Sequence, residues 1–316
     1  MAGGAEGDRR RVGVVVLDWN GGALTLRCLE SVYASRGVVP EVVLVDNASR
    51  APVLDAAKER FPALTTIRNP TNLGYAGGNN VGIRHLLERG LDAVLVLNND
   101  ARLAPEALAT LLAAARESEQ IAAVGGLILE PATPEQGARI WMASGRVTWR
   151  QSMVALVGRG ERDGPRWHAH RDAEWVSGAA LLLTRRGLER VGLFDEEFFA
   201  YLEEVDWCAR ARAAGLRVVW AGDAVVEHRG EASSGGGSYV SRKQYLVARN
   251  AVLFARRHGS LAQRLMFFTF FFGSLPLQWL RRWPRGEAAG VGLKLRGVCD
   301  ALRGRPLPRA ALGLDP

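Results

Sequence analysis

The chain has 316 residues, with 41 Lys and Arg against 33 Asp and Glu, three Cys and 48% apolar residues. That length suits one large α/β domain, or a domain of roughly 200–250 residues with an appendage, and either can bury a proper core. The 23% charged share is ordinary for a globular protein and rules out wholesale disorder. Cys28, Cys208 and Cys299 are far apart, with no C-x-x-C spacing. They argue against a disulfide scaffold or a structural zinc site and suit a reducing compartment.

Residues 1–10 read as a disordered lead-in. Basic residues then precede an apolar run at 12–17, which Asp18 ends after six residues, too few for a secretory signal core. The run reads as a buried first strand. Further strands are expected at 41–45, 64–68 and 93–97, with helices at 23–34, 53–60, 79–89 and 105–117. Pro105 suits the first turn of the last of these. The alternation predicts an α/β fold with a mostly parallel central sheet flanked by helices. Ligands of such sheets bind beyond the carboxyl ends of the strands. The polar clusters fall there: Asp18-Trp19-Asn20, Asp46-Asn47, residues 69–80 and Asn98-Asn99-Asp100.

Residues 130–171 are rich in Gly, Pro and Arg and read as a loop and hairpin region. A strand is expected at 175–184, a helix at 201–214 and a strand at 217–220. Residues 231–238 are Gly/Ser-rich and expected to be mobile. Two helices, 239–258 and 261–282, should follow.

Charge is unevenly spread. Residues 242–309 hold fourteen Lys and Arg against Glu287 and Asp300, a local excess of twelve that leaves the rest of the chain net acidic by four. Such a basic segment implies an anionic partner surface. Within it, residues 265–280 carry no charge. A helix of that length reaches ~24 Å, short of a ~30 Å hydrocarbon core. Flanking Arg264, Arg281 and Arg282, with Trp279 and Trp283, suit a helix lying in a membrane interface. A core or homodimer helix is the competing reading. Nucleic acid is disfavoured, because the aromatics form an apolar block instead of alternating with the basic residues.

The order of motifs resembles the inverting family-2 glycosyltransferases of GT-A fold, most closely their rhamnosyltransferase-like branch. The matching stretches are VVVLDWNGGALTLRCLESV, VVLVDNAS, NPTNLGYAGGNNVGI, VLVLNND, WVSGAALLLTRRGLERVGLFDEEFFAYLEEVDWCARARAAG and VVEHRGEASSG. The resemblance implies a GT-A catalytic domain over 11–238, with a donor half (11–125) and an acceptor half (126–238). A basic amphipathic helical extension over 239–316 follows it. It implies transfer of a sugar, rhamnose first, from a dTDP- or UDP-linked donor to a hydroxyl of a glycan or lipid-linked acceptor. The setting would be cell-surface polysaccharide synthesis, at the cytoplasmic face of the membrane.

The residues supply matching chemistry. Asp46 ends an apolar strand, where a carboxylate can accept the ring N–H of a nucleobase; in the resembled family the matching Asp contacts the donor base. Asn98-Asn99-Asp100 takes the place of the family's D-x-D signature, with Asn98 where the first Asp usually stands. Asp100, with His228, would hold Mg²⁺ or Mn²⁺ against the growing charge of a diphosphate leaving group. Asn20, Asn72, Gly77, Asn98 and Asn99 complete the donor side by resemblance; Trp175, Ser177, Gly178 and Glu203 form the acceptor side. Glu204 falls on the catalytic base, where the family usually has Asp, with Glu203 or Asp206 as fallback. Asp206 also stands one turn from Arg210, as a structural ion pair would. Arg249-Asn250 matches the family's C-terminal helix.

Two alternatives stay open at this level. A nucleotidyltransferase should carry a basic phosphate loop after its first strand, but no basic residue follows Asp18 until Arg27. A catalytically inert nucleotide-sugar-binding module is compatible with the Asn98 and Glu204 departures.

Overall fold

The computed structural model describes residues 11–133, 137–230 and 239–314. The expected disordered lead-in and the expected mobile stretch 231–238 lie outside the described residues.

Strand β1 (Val12–Asp18) is a near-continuous apolar run because both of its faces are covered. It pairs in parallel with β2 (Glu41–Asp46) on one side and β4 (Ala93–Asn98) on the other, and β3 (Thr65–Arg68) extends the sheet beyond β2. The crossovers are helices α1 (Ala23–Tyr33), α2 (Leu54–Arg60) and α3 (Gly74–Glu88). Helix α3 starts five residues earlier than its expected start at Asn79. Gly74 makes that start possible: its φ is +73°, and a Cβ there would lie 2.4 Å from the Phe199 carbonyl oxygen.

In the second half, the expected loop and hairpin region contains antiparallel strand pairs. After β5 (Ala101–Leu103) and α4 (Ala107–Arg116) comes a long strand, β6 (Ile121–Thr133), then β7 (Gly137–Met142). A hairpin of β8 (Ser144–Val147) and β9 (Val154–Val157) and a short edge strand β10 (His170–Asp172) follow. The described part of residues 130–171 therefore alternates short strands with turns, as a hairpin region does. The strand expected at 175–184 shortens to β11 (Ala180–Thr184), and an unanticipated helix α5 (Arg185–Val191) follows it directly. Helix α6 (Glu203–Ala213) leads to β12 (Arg217–His228), which runs on to His228 instead of ending at 220.

The main sheet runs β10-β12-β6-β11-β4-β1-β2-β3. Along that path β10 and β11 alone run against the other strands, so the sheet is mostly parallel.

Three helices close the described chain: α7 (Arg242–His258), α8 (Leu261–Arg282) and α9 (Ala289–Leu302), the last of them not anticipated. Val252, Phe254, Phe267, Phe271 and Val298 join the same apolar core as the sheet. Each such side chain contributes about 1.5–3 kcal/mol on full burial, so α7–α9 are integral to the fold. A capping box between Ser260 and Gln263 starts α8. Phe267, Phe271 and Leu275 repeat every four residues and face inward, while Leu261, Leu265, Phe272, Trp279 and Trp283 are exposed.

Candidate active site

Beyond the carboxyl ends of β1 and β4, a cavity of about 270 Å³ opens between the sheet, the start of α6 and the start of α7. Asn98, Asn99 and Asp100 follow β4 into it. His228 enters from the end of β12, because β5 and β12 pair antiparallel with Ala101 opposite His228. Asp100 Oδ1 and His228 Nε2 stand 3.1 Å apart, and Asn98 Nδ2 lies 3.2 Å from the same Nε2. His228 Nδ1 is buried without a hydrogen-bond partner among the described residues, and its ring meets Trp141 edge-on. A carboxylate oxygen and an imidazole nitrogen so placed fit a divalent cation whose remaining positions are left to a ligand. No cluster of three or more protein metal donors exists among the described residues.

Glu203 and Glu204 begin α6 and line the same cavity. One carboxylate oxygen of each is buried with no hydrogen-bond partner among the described residues. Burial first, and the neighbouring Glu204 charge second, push the Glu203 carboxyl well above its ordinary range. Burial likewise pushes Glu204 up to about 7, where a carboxylate is a competent general base near neutral pH. Asp206 behaves oppositely. Burial alone would raise it, but His258 and Arg210, each 2.8 Å away, hold it below the usual carboxylate range. Its place outside the cavity lining makes it a structural ion-pair partner.

Asn72, Ser177 and Gly178 also line the cavity. Asn72 accepts hydrogen bonds from Asn47 Nδ2 at 2.8 Å and Gly74 N at 2.9 Å. Asn99 Nδ2 donates to the fully buried Asp18 carboxylate at 2.9 Å. Four other expected residues stand apart from the lining. Asp46 is fully buried, accepting from Ser49 N and pairing with Arg68 Nε at 3.3 Å beneath a separate shallow depression. Asn20 accepts from Arg50 N at 2.9 Å and ties two loops together. Gly77 is a packing glycine inside α3, near Leu73 and Glu196. Trp175 is buried with its indole over Gly145, where a Cβ would lie only 1.9 Å from the ring.

Several lining residues had no assigned role, although Trp19 and Tyr75 fall in the polar clusters expected at the ligand edge. Tyr75 donates to the Gly178 carbonyl at 2.6 Å, and burial pushes its hydroxyl well above the ordinary range. Trp19 lies under the Arg242 guanidinium, 4.6 Å from ring to cation, and Tyr201, Lys243 and Leu314 complete the wall. A second organising pair, Asp18 and Asn47, is buried behind the wall or in it and holds the loops after β1, β2 and β3 together. Asp18, placed at the ligand edge by the sequence but given no role there, carries the signal that marked Asp46, an acidic residue closing an apolar strand.

This architecture, with a polar cavity at the carboxyl edge of a mostly parallel sheet, is the GT-A arrangement. Structural comparison gives the same fold. A GalNAc-T7 structure solved with UDP, GalNAc and Mn²⁺ superposes with a TM-score of 0.58 at 17% identity, over 88% of this chain and 58% of that one. A mannosyltransferase from Pyrobaculum calidifontis solved with GDP-Man and Mn²⁺ gives 0.56 at 20% identity, over 96% and 78%. Residues 9–246 match the family model "Glycosyltransferase like family 2". The N-acetylglucosaminyl-diphospho-decaprenol L-rhamnosyltransferase of Mycobacterium tuberculosis is 31% identical over 242 residues, 70% of this chain and 77% of that protein. The low-salt glycan biosynthesis hexosyltransferase Agl10 of Haloferax volcanii is 29% identical over 199 residues, covering 60% and 59%. The chain belongs to glycosyltransferase family 2 and is an enzyme of that family.

Proposed function

We propose that this enzyme moves a sugar, rhamnose as first candidate, from a dTDP- or UDP-linked donor to a hydroxyl of a glycan or lipid-linked acceptor, with inversion. The observation that carries the reading is that Asp100, His228, Glu203 and Glu204, distant in sequence, line one cavity. The name of the mycobacterial relative supports rhamnose and a lipid-diphosphate acceptor. The donor half is 11–125 and the acceptor half 126–238, with Ser177 and Gly178 on the acceptor side.

Glu204 takes the acceptor hydroxyl proton as that oxygen attacks the anomeric carbon. The bond from that carbon to the diphosphate oxygen breaks in the same step, which inverts the centre. Asp100 and His228 would hold Mg²⁺ or Mn²⁺, whose charge offsets that developing on the leaving diphosphate. Asn98, Asn99 and Asn72 present amide groups to the donor.

The exposed stripe Leu261, Leu265, Phe272, Trp279 and Trp283 along α8 supports attachment to an anionic membrane surface, with exposed Arg281 and Arg285 beside it. No helix among the described residues is long and apolar enough to cross a membrane. The exposed stripe is what supports the proposed peripheral location at the cytoplasmic face. Leu265→Glu combined with Phe272→Glu alters only this stripe. The pair should abolish sedimentation with phosphatidylglycerol vesicles; retained binding, or loss of a dimer instead, refutes the membrane reading.

A thermal-shift screen of nucleotide-sugars with and without Mn²⁺ tests the donor assignment. A dTDP- or UDP-sugar should raise the melting temperature, more so with Mn²⁺. No shift with any nucleotide-sugar contradicts it.

A further inference from the structure

The chain approaching the two glutamates holds backbone conformations that side-chain-bearing residues rarely adopt. Phe199 has φ +60°, Tyr201 +75° and Leu202 +70°. None is glycine, and each such position costs about 1–3 kcal/mol unless its surroundings enforce it. The enforcing contacts come from α7. Asn250, fully buried, donates from Nδ2 to the carbonyls of Phe198 at 2.8 Å, Ala200 at 2.8 Å and Tyr201 at 2.7 Å. An amide has two N–H bonds, so one of them is shared between two carbonyls.

Neighbours on the same helix extend the grip in both directions. Arg249 donates to the Glu197 carbonyl at 2.9 Å. Arg257, two turns on, pairs with Asp195 at 2.9 Å and with Glu197. His258 Nε2 lies 2.8 Å from Asp206 in the first turn of α6. Helix α7 therefore holds the segment on both sides of Glu203 and Glu204. The left-handed turn at Leu202 sets the direction in which α6 begins, and with it the aim of both carboxylates.

We propose that Asn250 is a positioning residue for the transfer reaction: by fixing the carbonyls of Phe198, Ala200 and Tyr201 it aims Glu203 and Glu204 into the cavity. The proposal rests on Glu204 being the base. It also gives the Arg249-Asn250 pair a role beyond packing, since neither touches the metal-side residues Asp100 and His228.

Asn250→Asp keeps the shape and removes both donors. The expected result is a fall in kcat of about 10²-fold, the loss typical of a misaimed catalytic group, with an unchanged dissociation constant for UDP or dTDP. Thermal melts confirm that the variant is folded at the assay temperature. An unchanged kcat overturns the proposal, and so does a parallel loss of nucleotide affinity, which would mark a general structural role. Should Asn250→Asp fail to fold, Arg257→Gln at the exposed end of the grip serves instead. It should lower kcat several-fold with nucleotide affinity retained, and an unchanged kcat again overturns the proposal. Glu204→Gln in the same assay separates the two readings. If it keeps wild-type kcat, the base assignment fails; if it is inactive while Asn250→Asp is fully active, only the positioning role fails.

Discussion

Asp100 Oδ1 and His228 Nε2 meet at 3.1 Å because β5 and β12 pair antiparallel with Ala101 opposite His228. Two residues more than a hundred positions apart thus owe their contact to strand register. A one-residue slip in that register would send one side chain to the other face of the sheet.

The pair should behave as a unit toward metal. Asp100→Ala or His228→Ala should each remove most of the Mn²⁺-dependent part of nucleotide binding and lower transfer by about 10²-fold or more. The double variant should be little worse than either single one, since neither ligand holds the ion alone. Isothermal titration of UDP or dTDP with and without Mn²⁺ checks this. Undiminished Mn²⁺ dependence in both variants would sink the metal assignment.

The raised carboxyls make stability depend on pH in a stated direction. Glu204 titrates at about 7 in the fold against an ordinary 4.5. Between those values the folded state keeps a proton that the unfolded chain has lost. Its stabilising contribution is therefore complete below pH 4.5 and lost as pH rises through about 7. Glu204→Gln cannot ionise, so it should gain up to about 3 kcal/mol relative to wild type at pH 8 and little at pH 4. Chemical denaturation at the two pH values measures the difference. Asp206 works in the opposite sense: its lowered carboxyl contributes stability that is lost as pH falls.

Gly74→Ala tests the junction between α3 and the loop before α6. The φ of +73° and the 2.4 Å approach to the Phe199 carbonyl leave no room for a methyl group. A loss of at least about 2 kcal/mol is expected. Transfer should fall beyond the loss of folded protein, because Phe199 belongs to the segment that aims Glu203 and Glu204. Wild-type stability in Gly74→Ala would show that this junction is loose.

The first four strand–helix units were legible because β1, β2 and β4 are unbroken apolar runs bounded by turn residues. β6 was not among the expected strands, and Gly125 and Gly126 interrupt its apolar run. In the sheet they are places of close approach, where a Cβ on Gly126 would lie 2.3 Å from the Ala224 carbonyl. The expected strand at 217–220 covers only the first part of β12, whose register shifts between Ala221 and Val225, just past its expected end. Helix α9 was not among the expected elements, and its sequence carries Gly290 and Gly297, residues of low helix propensity. Gly297 lets α9 cross α7 so closely that a Cβ would lie 2.4 Å from the Tyr245 carbonyl. At the site, Asp100, His228, Glu203 and Glu204 were legible from the order of motifs. The burial of Trp175 and Gly77 and the depth of Asp46 depend on which neighbours fold over them, which local sequence does not specify.

The most direct test of the account is the transfer rate of Glu204→Gln with saturating donor and Mn²⁺, measured beside its affinity for the nucleotide. The account predicts wild-type affinity with transfer slowed by about 10²–10⁴-fold. It also predicts that the wild-type rate rises with pH through about 7, as the base loses its proton. A Glu204→Gln enzyme that transfers sugar at the wild-type rate would contradict it.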